Sequence, residues 1–173
     1  MSRTGAALAW VGLGSNLAHP RRQLAQAIAR LRRIPGTRVS SVSPSYRTAP
    51  VGAPGPQPDY VNAVALLCTR LAPRALLAQL QAIERRQGRT RTSCTPRNAA
   101  RTLDLDLLLY GGRRMHTRTL TLPHPRMHER AFVLRPLLDV APHARIPGRG
   151  LARNGLARVR GQRIARLSPG ALP

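Results

Sequence analysis

The sequence predicts an α+β protein, a ferredoxin-like βαββαβ sandwich with a mostly antiparallel sheet and helices packed on it. Three observations support this fold class. Short apolar segments with alternation recur along the chain, two segments with helical spacing separate them, and their order is strand, helix, strand, strand, helix, strand. A length of 173 residues is sufficient for one domain with a substantial core.

The first half of the pattern begins with a strand at residues 6–13 and a helix over 21–34. Apolar side chains recur at helical spacing in the second segment, and the Pro-Gly pair at 35–36 ends it. Residues 37–47 show short alternation and β-branched side chains, which predicts a strand interrupted at Pro44.

The second half follows a loop at 48–58, whose four prolines and two glycines disfavour regular structure. Residues 59–70 then predict another strand. The segment 71–88 predicts a helix with a proline near its start and Gly88 at its end. An arginine-rich loop at 89–100 leads into the last strand of the pattern.

The chain beyond that strand is less regular. Residues 113–125 predict a short extended segment, and 128–142 predict a helix that ends at Pro136 and continues as irregular chain. The C-terminal residues are rich in arginine, glycine and proline, which predicts a loosely held tail. We therefore divide the chain into a domain at 1–144 and an arginine-rich tail at 145–173.

The charge of the chain is unusual. The formal net charge is +23, and all 29 basic residues are arginine. Such a surplus attracts polyanions in general. The absence of lysine excludes an ordinary Walker A phosphate loop, which needs that residue. No apolar run approaches the roughly 18 to 20 residues that span a membrane. The two cysteines lack metal-type spacing and suit a reduced cytoplasmic protein. From these two observations we expect a cytoplasmic protein without a membrane partner.

Two of the six acidic residues lie in the segment RTLDLDLLLYGG at 101–112. In a strand, Asp104 and Asp106 share one face and the neighbouring leucines share the other. Adjacent carboxylates repel each other and are costly to desolvate, so a cation must offset them. Their chemistry suits Mg²⁺, but a pair that faces solvent or contacts nearby arginines would satisfy the same pattern.

Four arginines flank this strand and strengthen the functional interpretation: Arg89, Arg91, Arg97 and Arg101. Guanidinium groups match phosphate oxygens in bidentate fashion. Carboxylates that bind metal and are surrounded by arginines describe a site for phosphoryl-type transfer.

Tyr60 and Asn62 form a second candidate site beside the proline-rich loop. They occupy alternate positions of a predicted strand, where a flat polar heterocycle could stack on the ring and bond to the amide. A tyrosine of the core and an asparagine in a turn is the structural alternative.

Taken together, these segments resemble the 6-hydroxymethyl-7,8-dihydropterin pyrophosphokinase family from about residue 8 to about residue 142. The resemblance is carried by GLGSNL, YRTAPVG, QPDYVNAV, IERRQGRTR, RTLDLDLLLYG and LPHPRMHERAFVLRPLLDVAP. It implies a ferredoxin-like sandwich, and an enzyme that transfers pyrophosphate from ATP to the hydroxymethyl group of the pterin. The products would be AMP and the pterin diphosphate, in tetrahydrofolate biosynthesis.

The same resemblance implies roles for individual residues. Asp104 and Asp106 would hold two Mg²⁺ ions with ATP, and they would be catalytic together with Arg89 and Arg101. The implied ATP-binding residues are Gln81, Glu84, Arg91, Arg97, Arg101 and His124. The implied pterin-binding residues are Thr48, Val51, Tyr60, Asn62, Arg130 and Phe132. The chain departs from many members at Asn98, which replaces a tryptophan of the loop before the strand.

Two other classes of function are consistent with parts of the pattern. An RNA-binding module would explain the charge, but the strands lack the aromatic residues on which bases stack, and a carboxylate pair repels RNA. A scaffold that has lost activity is disfavoured by the intact motifs. We therefore expect a monomer whose partners are ATP and the pterin, and which binds nucleic acid only weakly through its charge.

Overall fold

The computed structural model of the protein describes residues 5–53, 55–88 and 99–169. The strands are β1 (Ala7–Ser15), β2 (Thr37–Val42), β3 (Tyr46–Thr48), β4 (Tyr60–Thr69), β5 (Asp104–Tyr110), β6 (Met115–His116), β7 (Thr121–Leu122), β8 (Arg145–Ile146), β9 (Gly150–Leu151) and β10 (Ile164–Arg166). The helices are α1 (Pro20–Leu31), α2 (Pro73–Arg86), α3 (Ala131–Val140) and α4 (Ala152–Arg158), and a 3₁₀ turn spans Met127–Glu129.

The main sheet has the order β10-β3-β4-β1-β5 within the described residues, and β2 also pairs with β4. All of these pairings are antiparallel. The prediction of an α+β fold with a mostly antiparallel sheet is therefore confirmed. The interruption at Pro44 is also confirmed, because β2 ends at Val42 and β3 begins at Tyr46.

One face of the sheet is covered by α1 and α2. Leu24 and Leu31 of α1 and Leu76 and Leu80 of α2 are almost fully buried against it, together with Val11 of β1. Each buried leucine contributes about 1.5 to 3 kcal/mol of transfer free energy. The amphipathic patterns that predict these helices therefore also determine which side of the sheet they cover.

The opposite face of the sheet packs against α3, where the sequence prediction was wrong. The helix does not end at Pro136 but continues to Val140. Proline has no N–H to donate to the carbonyl four residues earlier, which costs about 3 kcal/mol in a helix interior. Leu134 and Leu137, on either side of the proline, are fully buried in a second core cluster. Their burial offsets the cost.

The C-terminal residues are not loosely held over the part that the structure describes. Ile146 and Ala152 are buried in the second core cluster, α4 packs on α3, and β10 pairs with β3. The composition of this segment suggested a solvated tail, but a few apolar side chains between the arginines are enough to anchor it. None of the helices in the described ranges has both the length and the apolar character that a membrane crossing requires.

Candidate active site

The floor of the candidate site is the sheet face that packs against α3. The aspartates of β5 lie on this face, whereas Leu105 and Leu107 point into the core beneath α2 and are 4% and 3% exposed. The predicted separation of the two faces is confirmed. On the central strand, Gly12 pairs with Asp106 and Gly14 pairs with Asp104. Because glycine has no side chain, β1 places no side chain on this face of the sheet next to either carboxylate.

Gly14 is also the partner of Asn62 on the other neighbouring strand. A Cβ atom at Gly14 would lie 2.9 Å from Asn62 Oδ1, a distance that real Cβ contacts do not show. The Asn62 amide donates to Thr48 Oγ1 at 2.8 Å, and both side chains are 5% exposed. The absence of a side chain at position 14 therefore lets a buried amide and hydroxyl form a polar wall.

The opposite wall comes from the chain around the start of α3. The Arg130 guanidinium lies 5.4 Å from the centre of the Phe132 ring, a cation–π distance. These side chains and the sheet enclose a cavity, here called the sheet pocket. The structure brings all six residues of the predicted pterin site to its lining: Thr48, Val51, Tyr60, Asn62, Arg130 and Phe132.

Arg101 anchors the aspartate edge of this pocket. Its Nη1 donates to Asp104 Oδ2 at 2.7 Å. Burial alone lowers the pKa of the Arg101 guanidinium, but the charge of Asp104 raises it, so that the net shift is upward. The Arg101 guanidinium thus offsets the negative charge of Asp104, as expected if the carboxylate pair contacts nearby arginines.

The sequence prediction missed Asn16, which fixes Arg101. Asn16 Oδ1 accepts a hydrogen bond from the backbone N–H of Arg101 at 2.9 Å, and the Asn16 N–H donates back to the Arg101 carbonyl at 3.2 Å. The Asn16 amide also donates to the Pro58 carbonyl at 3.1 Å. Asn16 is 2% exposed and directly follows β1, but the segment GLGSN carries no local signal of that burial.

A second cavity, here called the hairpin pocket, lies between α2, β5 and the β6–β7 hairpin and has a volume of about 800 Å³. Gln81, Glu84 and His124, three of the predicted ATP-binding residues, line it. Arg118, Thr119 and Thr121 of the hairpin also line it, and the sequence prediction did not select them. Asp106 lines both pockets and therefore lies where they meet, whereas Asp104 lines the sheet pocket alone.

Glu84 is the most buried carboxylate near the site, with 6% exposure. Its Oε1 accepts a hydrogen bond from the backbone N–H of Leu105 at 2.7 Å. Leu105 lies between the two aspartates on β5, which is an edge strand of the main sheet as far as the described residues show, so its outward N–H groups face no further strand there. Glu84 therefore secures the backbone of the strand that carries the pair.

His124 lines the hairpin pocket as a neutral group. Burial, followed by the charge of Arg130, lowers the pKa of His124 to about 4. Its Nδ1 accepts from the Arg126 N–H at 3.2 Å, which assigns the remaining ring proton to Nε2. Nε2 lies 3.9 Å from Asp106 Oδ2. His124 can therefore donate a hydrogen bond to an oxygen atom of a ligand without carrying charge.

The rest of the predicted site lies outside the described residues. Arg89, Arg91 and Arg97 belong to that part of the chain, as does Asn98. Within the described residues, Arg101, Arg126 and Arg130 line the sheet pocket, where burial and then Arg126 lower the pKa of Arg130. Such crowding of positive charge favours an anionic group, such as a phosphate, beside any uncharged ring that this pocket holds.

The donor set fits magnesium. The pair supplies two hard carboxylates, and Mg²⁺ in phosphate chemistry is typically held by one or two carboxylates, water and the phosphates themselves. No cluster of three or more His, Cys, Asp or Glu side chains suited to a metal occurs in the ranges that the structure describes.

Comparison with known proteins gives a consistent result. The sequence model of the family described as 7,8-dihydro-6-hydroxymethylpterin-pyrophosphokinase (HPPK) matches residues 10–142. The chain is 51% identical over 138 residues to a 2-amino-4-hydroxy-6-hydroxymethyldihydropteridine pyrophosphokinase of Pseudomonas aeruginosa, covering 80% of this chain and 83% of the relative. It is 40% identical over 161 residues to the protein of the same name from Haemophilus influenzae, covering 93% and 98%.

Solved structures agree at the level of the fold. The chain is similar to a wild-type Plasmodium falciparum HPPK-DHPS crystal structure with STZ-DHP, with a TM-score of 0.70 and 11% identity. The match covers 91% of this chain but only 44% of that one, so this chain spans less than half of its length. An HPPK-DHPS structure in complex with substrates is similar, with a TM-score of 0.69 and 12% identity.

Proposed function

This chain belongs to the 7,8-dihydro-6-hydroxymethylpterin-pyrophosphokinase family, and on that premise we propose how its residues carry out the reaction. The protein transfers pyrophosphate from ATP to 6-hydroxymethyl-7,8-dihydropterin, giving AMP and the pterin diphosphate, a step of tetrahydrofolate biosynthesis. We propose that the pterin occupies the sheet pocket, that ATP occupies the hairpin pocket, and that Asp104 and Asp106 hold Mg²⁺ between them.

The observation that carries this proposal is the position of Asp106, which lines both pockets. A transfer between two substrates requires their reacting atoms to approach to about 3 to 3.5 Å. The junction of the pockets is the place where a hydroxyl group from one and a polyphosphate from the other can meet.

The sheet pocket supports the pterin assignment through its shape and chemistry. Tyr60 and Phe132 supply flat apolar surfaces for a ring system. Asn62 and Thr48 are buried, already oriented by their mutual hydrogen bond, and able to bond the polar edge of the heterocycle. Preorganised donors and acceptors of this kind lower the ordering cost of binding.

The transfer itself is a displacement at the β-phosphorus. The hydroxymethyl oxygen forms a bond to that atom, the bond to the α,β-bridging oxygen breaks, AMP leaves, and the hydroxyl proton is released. Arg101 and the neutral Nε2–H of His124 would contact phosphate oxygens and orient them. The roles of Arg89, Arg91 and Arg97 as further phosphate ligands remain predictions from the sequence.

Bound Mg²⁺ would neutralise phosphate charge and lower the pKa of the attacking hydroxyl group. In the protein alone, Asp104 is held by Arg101, and Glu84 secures the backbone between the two aspartates. This arrangement orients the Asp104 carboxylate and the backbone that carries both aspartates. Catalysis of phosphoryl transfer consists largely of such positioning and charge neutralisation.

The decisive experiment measures AMP release from Mg-ATP with and without the pterin. The wild-type protein should release AMP only when the pterin is present, and Asp106→Ala should reduce that rate by about 10²- to 10³-fold or more. Asp139→Asn is the control, because it removes a carboxylate that lines neither pocket. Release of ADP would refute the assignment of the attacked phosphorus, and equal rates for Asp106→Ala and wild type would refute the metal site.

We also propose a monomeric, cytoplasmic enzyme that associates with nucleic acid only weakly. The net charge of +23 supports the last point, since such binding is driven by counterion release and declines steeply with salt. Binding to RNA that persists at high salt would contradict it.

A further inference from the structure

A short C-terminal segment reaches both walls of the sheet pocket without entering it. This segment, here called the C-terminal strap, comprises residues 162–167 and includes β10. None of its residues lines either pocket. Its contacts nevertheless fall on Thr48 itself and on the immediate neighbours of Tyr60, Arg130 and Phe132, four residues of the proposed pterin site.

The first contact of the strap is with β3, the strand that ends at Thr48. Ile164 pairs with Thr48 and Arg166 pairs with Tyr46 in antiparallel register. Leu167 extends the contact, because its N–H donates to the Ser45 carbonyl at 2.9 Å. A strand of only three residues forms few ladder bonds with β4, so a second partner strand restricts its position considerably.

The second contact is made by the side chain of Gln162. Its Oε1 accepts a hydrogen bond from the Ala131 N–H at 2.8 Å, and its Nε2 donates to the Glu129 carbonyl at 2.7 Å. One planar amide therefore holds the residues before and after Arg130. Ala131 is the first residue of α3, where backbone N–H groups lack partners within the helix.

Arg130 is the residue whose orientation depends most on this clamp. It has extended backbone angles, φ −125° and ψ 109°, between the 3₁₀ turn and α3. The fixed positions of Glu129 and Ala131 determine where its guanidinium and the Phe132 ring project into the sheet pocket. A third contact, between Arg163 and Asp59 at 3.9 Å, is exposed and contributes little.

We infer that the C-terminal strap is a positioning element of the pterin pocket, and that Gln162 is its key positioning residue. By joining β3 to the start of α3, the strap holds Thr48 on one wall in fixed relation to Arg130 and Phe132 on the other. This inference rests on the proposed function, because it assigns the sheet pocket to the pterin. It predicts that the strap controls pterin affinity and leaves the hairpin pocket unaffected.

Three substitutions test the clamp. Gln162→Met keeps the approximate size of the side chain but removes both hydrogen bonds. Gln162→Glu keeps the acceptor for the Ala131 N–H and loses the donor to the Glu129 carbonyl. Arg160→Gln is the matched control, since Arg160 is an exposed side chain in the turn just before the strap.

The measurements are the dissociation constant of the pterin without ATP and the KM values for both substrates, taken well below the unfolding temperature. Gln162→Met should raise the pterin constants about 3- to 10-fold, as expected when two hydrogen bonds that orient a wall are lost. The KM for ATP should change less than about two-fold, Gln162→Glu should be intermediate, and Arg160→Gln should match wild type. A general loss of folding would instead affect both substrates equally.

Hydrogen exchange supplies a readout that does not depend on activity. The Ala131 amide should exchange faster in Gln162→Met and at the wild-type rate in Arg160→Gln. An active Gln162→Met enzyme with unchanged pterin constants, or with an equal rise for ATP, would overturn the inference. Absence of pterin-dependent AMP release from the wild-type protein would refute the proposed function first, and the two failures are therefore distinguishable.

Discussion

Substitution of Gly14 by alanine tests the geometry of the sheet pocket directly. The new Cβ would lie 2.9 Å from Asn62 Oδ1, so the Asn62 side chain must shift or rotate. Asn62 is 5% exposed and donates to Thr48 at 2.8 Å. A buried amide that loses this bond costs about 1 to 3 kcal/mol. Alanine also lowers the conformational entropy of the unfolded chain relative to glycine, which stabilises the folded state by roughly 0.5 to 1 kcal/mol.

The expected net result for Gly14→Ala is a loss of about 0.5 to 2 kcal/mol in the free energy of unfolding. The pterin should bind about ten-fold more weakly, which corresponds to about 1.4 kcal/mol, because Asn62 no longer presents its amide in the preorganised position. Urea unfolding measures the first quantity, and titration of the pterin without ATP measures the second.

Gly12→Ala on the same strand and the same face is the control for stability. Its Cβ would lie 3.5 Å from the Leu108 side chain, an ordinary van der Waals contact. The unfolding free energy should therefore stay within about 0.5 kcal/mol of wild type or increase. Equal destabilisation by the two alanines, or unchanged pterin binding in Gly14→Ala, would refute the argument from the close approach to Asn62.

Three further predictions concern the metal, the edge strand β5 and the hydrogen bond between Tyr46 and Asp139. Removal of Mg²⁺ by a chelator should abolish AMP release. Mg²⁺ together with a non-hydrolysable ATP analogue, at 100 times the dissociation constant of the analogue, should add about 2.7 kcal/mol to the unfolding free energy of the wild-type protein but much less to that of Asp106→Ala. An equal gain in the two proteins would contradict the metal site. Glu84→Ala should lower the unfolding free energy by about 1 to 3 kcal/mol, because the buried Leu105 N–H loses its acceptor. Glu84→Gln retains an acceptor oxygen and should lower the unfolding free energy less. Similar losses for the two variants would show that the charge matters more than the hydrogen bond. Tyr46→Phe removes a hydrogen bond to Asp139 of 2.5 Å and should cost about 1 to 2 kcal/mol by urea unfolding, and a neutral result would show that water replaces the hydroxyl.

Local periodicity predicted most of the elements correctly. The two-residue alternation of RTLDLDLLLYGG placed both aspartates on one face, and the structure confirms it. The same kind of local reasoning failed at Pro136, where burial of Leu134 and Leu137 offsets a local cost. It failed again for the C-terminal residues, because composition does not reveal that Ile146 lies in a core cluster.

The family was identifiable from the sequence because its motifs are short, contiguous and specific, and the comparisons bear that out. The roles of individual residues stay predictions, although the structure brings the described ones into two adjoining pockets. Asn16 escaped notice because its partner Arg101 is 85 residues away. A buried asparagine in a turn has no local signature that separates it from an exposed one.

By itself the sequence determined the order of the elements, the paired carboxylates on β5 and the family, since each of these depends on neighbours along the chain. Only the tertiary structure decided that Gly14 leaves room for Asn62, that Asp106 lies where two pockets meet, and that Gln162 clamps the chain around Arg130. The physical reason is that these are distances between atoms far apart in the chain. The types of the side chains affect these distances only after packing has brought the helices and strands that carry them together.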